Sequence, residues 1–431
     1  MNRNFLKIRI KRRTECEKII LGIFIIICLE GFLSIFIPQA HVLYYLVDVL
    51  NIILILECLY SKKIGRLFNK PTQAFMICFS LFLLFAAMGM LVNYSNILLH
   101  IWGCRRAFSN LFFFIACICF QKTQDLKIID ILFWLNFVVS CTEILLGYRQ
   151  DWVGGIYGVS GGQVNGPLNI LLVFVTVKAV IEYINKEESV KKLSIYILLS
   201  LLIAAFAELK IYFVELIVIV ALCSLVTRFS YKKLFIFIVG AVAAFLGVTM
   251  LSYVFPEFSM DVLSVKYIWN YLTNPGGYVG QFAYDAGDVN RLAFWNKCIV
   301  YLNGFFEKLF GLGIGNCDTI DLIGVQSAFY KQHNALHYYM FPLPMFLLEQ
   351  GISGMFLYLA IFLFIFIALS HMQNKYKCVS SSIFQIAKVL CLMAFVITIY
   401  DSSLLGKGGF IFFYILALPF VGITDRKRSK I

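Results

Sequence analysis

The sequence predicts an all-α polytopic integral membrane protein with about twelve transmembrane helices and one large extracytoplasmic loop. The first observation is composition: the 431 residues are 61% hydrophobic and only 14% charged, with a mean hydropathy of +0.84. Soluble domains have about 25% charged residues. The second observation is that apolar runs of about 20 residues recur along most of the chain. These runs are continuous, whereas transmembrane β-strands alternate between apolar and polar residues.

The predicted spans alternate with hydrophilic connections, and a cytoplasmic start makes the crossings agree with the charges. The connections placed inside are rich in lysine and arginine, whereas the long connection placed outside is slightly acidic. The net charge of +13 therefore indicates membrane orientation rather than nucleic-acid binding, and both termini are predicted to be cytoplasmic. The predicted spans are 19–37, 41–60, 74–93, 98–120, 128–147, 166–184, 193–207, 210–227, 233–255, 352–371, 383–401 and 408–424.

Three regions follow from this arrangement. Residues 1–255 are predicted to hold nine spans, and residues 351–431 are predicted to hold the last three. Between them, residues 256–350 form the extracytoplasmic loop. The end of this loop, 336–349, is apolar but contains two prolines, which break a helical hydrogen-bond ladder. Because counting it as a crossing would place a basic connection outside, we interpret it as a re-entrant or interfacial helix.

The loop concentrates the polar residues that catalysis requires. Arg291 and Trp295 share a face at helical spacing, and a guanidinium beside a membrane cavity suits bidentate capture of phosphate. The structural alternative is a surface arginine. His333 and Asn334 lie where the loop returns to the membrane, so His333 is a candidate general base, phosphate contact or helix cap. His337 completes only half of a zinc site, and no metal or other cofactor is predicted.

Glycines and cysteines mark the middle of the loop. Gly311, Gly313 and Gly315 lack the strand–turn–helix context of a nucleotide-binding motif, which favours a tight turn. A backbone nest that binds phosphate is the alternative. Cys298 and Cys317 share the loop, so they either pair in an oxidising compartment or remain free.

Charged residues near span ends are further candidates. Arg105 and Arg106 lie one to two turns inside a span, where two adjacent arginines cannot both face lipid cheaply, so at least one is expected to face a cavity. Lys210 separates two apolar runs and is a candidate phosphate contact. Snorkelling to the interface is the structural alternative for all three. The acidic residues at span edges show no spacing typical of a proton relay: Glu30, Asp48, Glu57, Glu143, Glu215 and Asp401.

The order of these motifs resembles the O-antigen polymerase and O-antigen ligase superfamily, the integral membrane enzymes of bacterial surface polysaccharide assembly. The similarity in architecture covers most of the chain. Lys210 stands where many members carry a basic residue, although Glu208 and Leu209 before it depart from the pattern. The sharper motifs are the turn Gly161–Gly162–Gln163–Val164–Asn165–Gly166–Pro167, Arg291 followed by Trp295, Gly311–Leu312–Gly313–Ile314–Gly315, His333–Asn334 and Glu349–Gln350–Gly351–Ile352–Ser353–Gly354.

The resemblance implies an inverting, metal-independent glycosyltransferase in the bacterial cytoplasmic (inner) membrane, with its active site facing the periplasm or exterior. Its substrates would be undecaprenyl-pyrophosphate-linked oligosaccharides within the membrane lipid. Its protein partners would be a chain-length regulator and a flippase. No nucleic-acid partner is expected. We expect Arg291 and His333 to be catalytic. The residues expected to bind substrate are Lys210, Arg105, Arg106, Asn334, Trp295 and Gly313.

The resemblance favours a polymerase that makes O-antigen, capsular or exopolysaccharide chains, because that is the broader fit to a divergent sequence. An O-antigen ligase is the first alternative, since the two enzymes differ in acceptor and no residue decides between them. A flippase or other transporter is an alternative from a different class. Transporters place their polar groups near the bilayer midplane, often in related halves, whereas this chain concentrates them in one loop.

Overall fold

Helices dominate the part of the chain that the computed structural model describes. Predictions that fall on the span 233–255, apart from residue 242, and on the loop residues 256–293 lie outside the described residues. The described residues are 14–68, 71–122, 124, 126–148, 152–159, 164–227, 242, 294–375 and 381–421.

The helices follow the apolar runs closely, because the runs end at polar or glycine-containing connections. Two short strands, β1 (Thr319–Ile320) and β2 (Val325–Gln326), form an antiparallel ladder. The helices are α1 (Glu15–Ser34), α2 (Tyr44–Tyr60), α3 (Ile64–Leu67), α4 (Gln73–Val92), α5 (Ile97–Phe120), α6 (Lys127–Leu145), α7 (Asn165–Ile184), α8 (Val190–Phe206), α9 (Lys210–Val226), α10 (Phe294–Cys298), α11 (Gly304–Phe310), α12 (Ala328–His333), α13 (Pro342–Lys375), α14 (Ser381–Tyr400) and α15 (Lys407–Ala417).

The helices confirm an all-α protein suited to a membrane. Within the described ranges, seven helices are long and apolar enough to cross a bilayer: α2 with the turn before it, α4, α5, α6, α7, α13 and α14. Shorter apolar helices cover Ile211–Val226 and Lys407–Phe420. The total of about twelve crossings stays a prediction.

The start of α13 differs from the sequence-based expectation. The segment 336–349 was interpreted as a re-entrant or interfacial helix, with its ladder broken by two prolines, that leads into a span from about Gly351. In the structure α13 begins at Pro342, and Pro344 lies in its first turn. Proline is tolerated there because the first N–H groups of a helix have no intrahelical acceptor. The interruption lies instead at Gly351, whose φ of 68° and ψ of −168° are not helical.

The centre of the bundle is formed by α5, α7 and α15. Helix α15 packs against α5 and α7, α7 packs against α8 and α9, and α13 packs between α4 and α14. Nearly every side chain of α7 and α15 is buried. Helix α2 lies at the periphery, where an exposed apolar stripe follows one helical face: Val42, Leu46, Val49, Ile53 and Leu56.

Candidate functional site

The candidate site lies at the end of the bundle where α1, α4 and α14 end and α5, α7 and α15 begin. We call it the loop-bearing end, because the segment 294–341 packs there against α4, α5 and α13. In the predicted orientation this end is extracytoplasmic. The site is built by contacts between that segment and α5.

The glycine turn Gly311–Gly315 is held by its own backbone. Its three glycines have φ between 76° and 96°, a region that favours glycine. The N–H of Leu312 donates to Leu348 O (2.7 Å), and the N–H of Gly313 donates to Glu349 O (3.0 Å). The N–H of Gly311 also donates a hydrogen bond, to Glu307 O in α11 (2.7 Å). These three N–H groups bind the protein itself, which favours the tight-turn interpretation.

Helix α5 receives the turn at close range. A Cβ on Gly315 would overlap Leu99 O, and a Cβ on Gly103 would lie 2.5 Å from Gly315 N, so the two backbones touch. The fully buried His100 hydrogen-bonds through Nδ1 to Ile314 O at 2.5 Å. Sequence reasoning missed His100, although a histidine one turn before two arginines within an apolar run is a usable signal.

Arg106 joins the loop to the bundle. Its Nη1 lies 3.1 Å from Asp318 Oδ1, and its Nη2 lies 3.8 Å from Glu349 Oε1. Both carboxylates are buried, and the Glu349 carboxylate also accepts a hydrogen bond from Cys317 N at 3.4 Å. Arg106 therefore compensates two buried negative charges. Its predicted contact with substrate stays a prediction.

Arg105 pairs with a different acid, Asp48 of α2. Its Nε donates to Asp48 Oδ2 at 2.7 Å, and its Cζ lies 4.4 Å from the ring centroid of Trp102 and 5.3 Å from that of Tyr45. We expected the span-edge acids to be scattered, yet Asp48 is paired with a cation of another helix. The spacing within one helix does not reveal such pairs, because tertiary packing forms them.

A second acid, Glu30, is paired in the same way. It is fully buried in α1, and its two carboxylate oxygens contact His41 Nδ1 at 2.6 Å and Lys407 Nζ at 2.5 Å. Sequence reasoning treated Glu30 as a packing residue and did not single out His41 or Lys407. The weak signal for Glu30 was a carboxylate inside an apolar run, which is costly without a partner.

His333 is held by aromatic rings at the end of α12. Its ring centroid lies 4.6 Å from that of Tyr301 and 4.7 Å from that of Phe329. The Phe329 ring contacts Tyr338 at 5.4 Å, and the Tyr338 hydroxyl donates to Cys317 O at 2.6 Å. Since Cys317 precedes the partner of Arg106, contacts run continuously from His333 to Arg106.

The other predicted site residues are less connected. Trp295 is half-buried in α10, which packs against α13, and Asn334 is exposed. Lys210 begins α9, but its side chain lies outside the described part of the structure, and so does all of Arg291. Their predicted roles remain predictions.

The two loop cysteines are free and fully buried. Burial raises the pKa of the Cys298 thiol to about 12, and burial with the nearby Glu349 and Asp318 carboxylates holds the pKa of Cys317 far above its usual range. Of the two expectations, the structure has the unpaired one. In the described ranges, no three histidine, cysteine or acidic side chains are grouped so as to hold a metal ion.

Comparison with known proteins adds no relative. No protein-family profile matches the sequence, and no curated protein is significantly similar to it.

Proposed function

We propose that the chain polymerises undecaprenyl-pyrophosphate-linked oligosaccharide repeat units at the outer face of the bacterial cytoplasmic membrane. One observation carries the proposal. Two motifs of the sequence resemblance, Gly311–Gly315 and Glu349–Gly354, are separate in the chain, but the N–H of Gly313 in the first donates to Glu349 O in the second at 3.0 Å. A third, His333–Asn334, is linked to Glu349 by successive contacts through Phe329, Tyr338 and Cys317. Convergence of separate motifs is what a shared site would require.

The proposed reaction needs cations more than an acid. A sugar hydroxyl of the acceptor attacks the anomeric carbon of the donor, its bond to the pyrophosphate oxygen breaks, and the new glycosidic bond has inverted configuration. Undecaprenyl pyrophosphate leaves with the electron pair, and positive groups stabilise the charge that develops on it. In this scheme Arg291 and Lys210 contact the pyrophosphate.

His333 is the proposed acceptor of the hydroxyl proton. Its ring is fixed between Tyr301 and Phe329, and neither ring nitrogen has a hydrogen-bond partner among the described residues. A half-buried imidazole with free nitrogens suits this role, since it is oriented by packing and remains open to a ligand.

Reconstitution of the purified protein with lipid-pyrophosphate-linked repeat units tests the reaction type. Products of increasing length support the polymerase. Glycan joined to an added lipid A-core acceptor identifies a ligase, and movement across the vesicle membrane without new bonds identifies a transporter. Either of the last two outcomes overturns the proposal.

Variants test the roles of the residues. Arg291→Ala is expected to abolish polymer formation at normal protein level. His333→Phe keeps an aromatic ring beside Tyr301 and Phe329 but removes both nitrogens, so turnover should fall by about 10²-fold or more. Lys331→Ala changes an exposed neighbour and serves as the control. Normal turnover by His333→Phe would exclude the histidine from the chemistry.

A further inference from the structure

Two cations from different helices share one aromatic ring at the loop-bearing end. The Cζ of Arg105 lies 5.6 Å from the ring centroid of Tyr44, and the Nζ of Lys407 lies 5.7 Å from the same centroid. The two positive groups therefore pack against the same side chain. This pair is separate from the contacts that join Arg106 to the loop.

The cations retain unused hydrogen-bond donors. Arg105 contacts Asp48 through Nε only, and its two terminal nitrogens have no partner among the described residues. Lys407 forms an ion pair with one acid, Glu30, and its ammonium group has three N–H donors. His41 uses Nδ1 for Glu30, which leaves Nε2 without a partner in the same part of the structure.

The acids lie deeper than the cations. Side-chain exposure is 0% for Glu30 and 16% for Asp48, whereas it is 19% for Lys407, 24% for Arg105 and 50% for His41. An approaching ligand consequently meets the donors before the carboxylates. The buried acids orient the cations and compensate them, so that the cluster is stable without a ligand.

The surroundings are those of a lipid headgroup. Tyr45 and Trp102, which flank Arg105, are half-buried, and aromatic side chains with this exposure are typical of the membrane interface. On the Asp48 side of α2, one and three turns further along the helix, the apolar residues Ile52 and Leu59 are exposed. A ligand with a hydrocarbon chain therefore has an apolar path next to the cations.

We propose that Arg105, Lys407 and His41 bind the phosphate of a lipid, whose chain lies along Ile52 and Leu59 of α2. The planar guanidinium with two free terminal nitrogens suits the oxygen pair of a phosphate, and the ammonium supplies a further charge-assisted hydrogen bond. The His41 ring supplies another in its imidazolium form, in which Nε2 carries a proton. The site takes either a phospholipid or a polyprenyl phosphate, since both present the same group. It goes beyond the proposed glycosyl transfer and does not require it.

Lipid binding to the full-length protein in detergent tests this site by native mass spectrometry. The probes are dioleoyl phosphatidylglycerol, undecaprenyl phosphate and dioleoylglycerol, which lacks phosphate. We expect at least one phosphate lipid to bind and dioleoylglycerol not to bind. Arg105→Gln and Lys407→Gln should each weaken phosphate-lipid binding about tenfold. Lys18→Gln, which removes an exposed ion pair with Glu15, is the matched control.

The comparison of probes identifies the source of the phosphate. Selective binding of undecaprenyl phosphate supports a site for a lipid carrier, and equal binding of both lipids supports a site for membrane phospholipid. Unchanged affinity in both variants, or equal binding of dioleoylglycerol, overturns the proposal. If Arg105→Gln fails to fold because Asp48 loses its partner, Arg105→Gln with Asp48→Asn replaces it. No sugar is transferred in this assay, so its outcome is independent of the polymerase test.

Discussion

Arg105 and Arg106 are consecutive residues of α5, and their guanidinium groups bind acids on different sides of that helix. Arg105 pairs with Asp48 of α2 at 2.7 Å, whereas Arg106 pairs with Asp318 of the loop at 3.1 Å. Successive residues of a helix are rotated by about 100°, so neighbours in sequence face different partners. One arginine thus joins two helices, and the other joins the loop to the bundle.

Removal of the Arg106 charge should release the loop. Arg106→Gln leaves the buried Asp318 and Glu349 carboxylates without their cation, and breaking such a pair costs about 3 kcal/mol of stability. Thermal denaturation in detergent measures the loss. The double variant with Asp318→Asn should lose less than the sum of the two single variants, because the removed groups are partners. Additive losses would show that the pair is not coupled.

A methyl group should destabilise the protein more at Gly315 of the glycine turn than at Gly324, which lies outside the turn. In Gly315→Ala the new Cβ overlaps Leu99 O, and backbone must move to relieve it, so we expect a loss of about 3 kcal/mol. Gly324→Ala is the control, since its φ of 65° is also positive but nothing lies within 4 Å of the new Cβ. Its cost should be about 1 kcal/mol, from backbone conformation alone. Equal denaturation midpoints would contradict the close contact with α5.

The buried thiol of Cys298 should make the protein less stable in alkali. Burial raises its pKa to about 12, whereas an unfolded thiol ionises at about pH 8.5. The contribution of this group to stability is fully present below about pH 8.5 and is lost as the pH rises towards 12. The denaturation midpoint should therefore fall less steeply between pH 8.5 and 11 in Cys298→Ala than in the native chain. Parallel slopes would argue against a buried thiol.

Surface labelling should locate the loop on the outside of the cell. Lys331 is exposed in the loop-bearing end, and Lys122 is exposed at the opposite end of α5. A membrane-impermeant maleimide applied to intact cells should modify Lys331→Cys but not Lys122→Cys, and both should react after lysis. The native chain is the background control. The reverse labelling pattern would invert the predicted orientation and exclude extracellular chemistry.

The apolar runs predicted the long helices of the described ranges, because a helix that contacts lipid must satisfy its backbone within itself. The expected effect of the two prolines was wrong, because both lie in the first turn of α13 and are compatible with a helix start. The helix is interrupted at Gly351, next to the predicted start of the span 352–371. The pattern of residue types cannot separate these cases. Proline is favourable or disruptive according to where the helix begins.

The candidate site was likewise predicted only in part from the sequence. Composition and charge distribution alone determined a helical membrane protein, since burial in lipid selects long apolar runs, and they indicated which loop holds the polar residues. Only the tertiary structure paired Arg105 with Asp48, Arg106 with Asp318, and Glu30 with both His41 and Lys407. Each pair joins residues from different elements. Their proximity depends on helix packing, which no spacing along a single helix records.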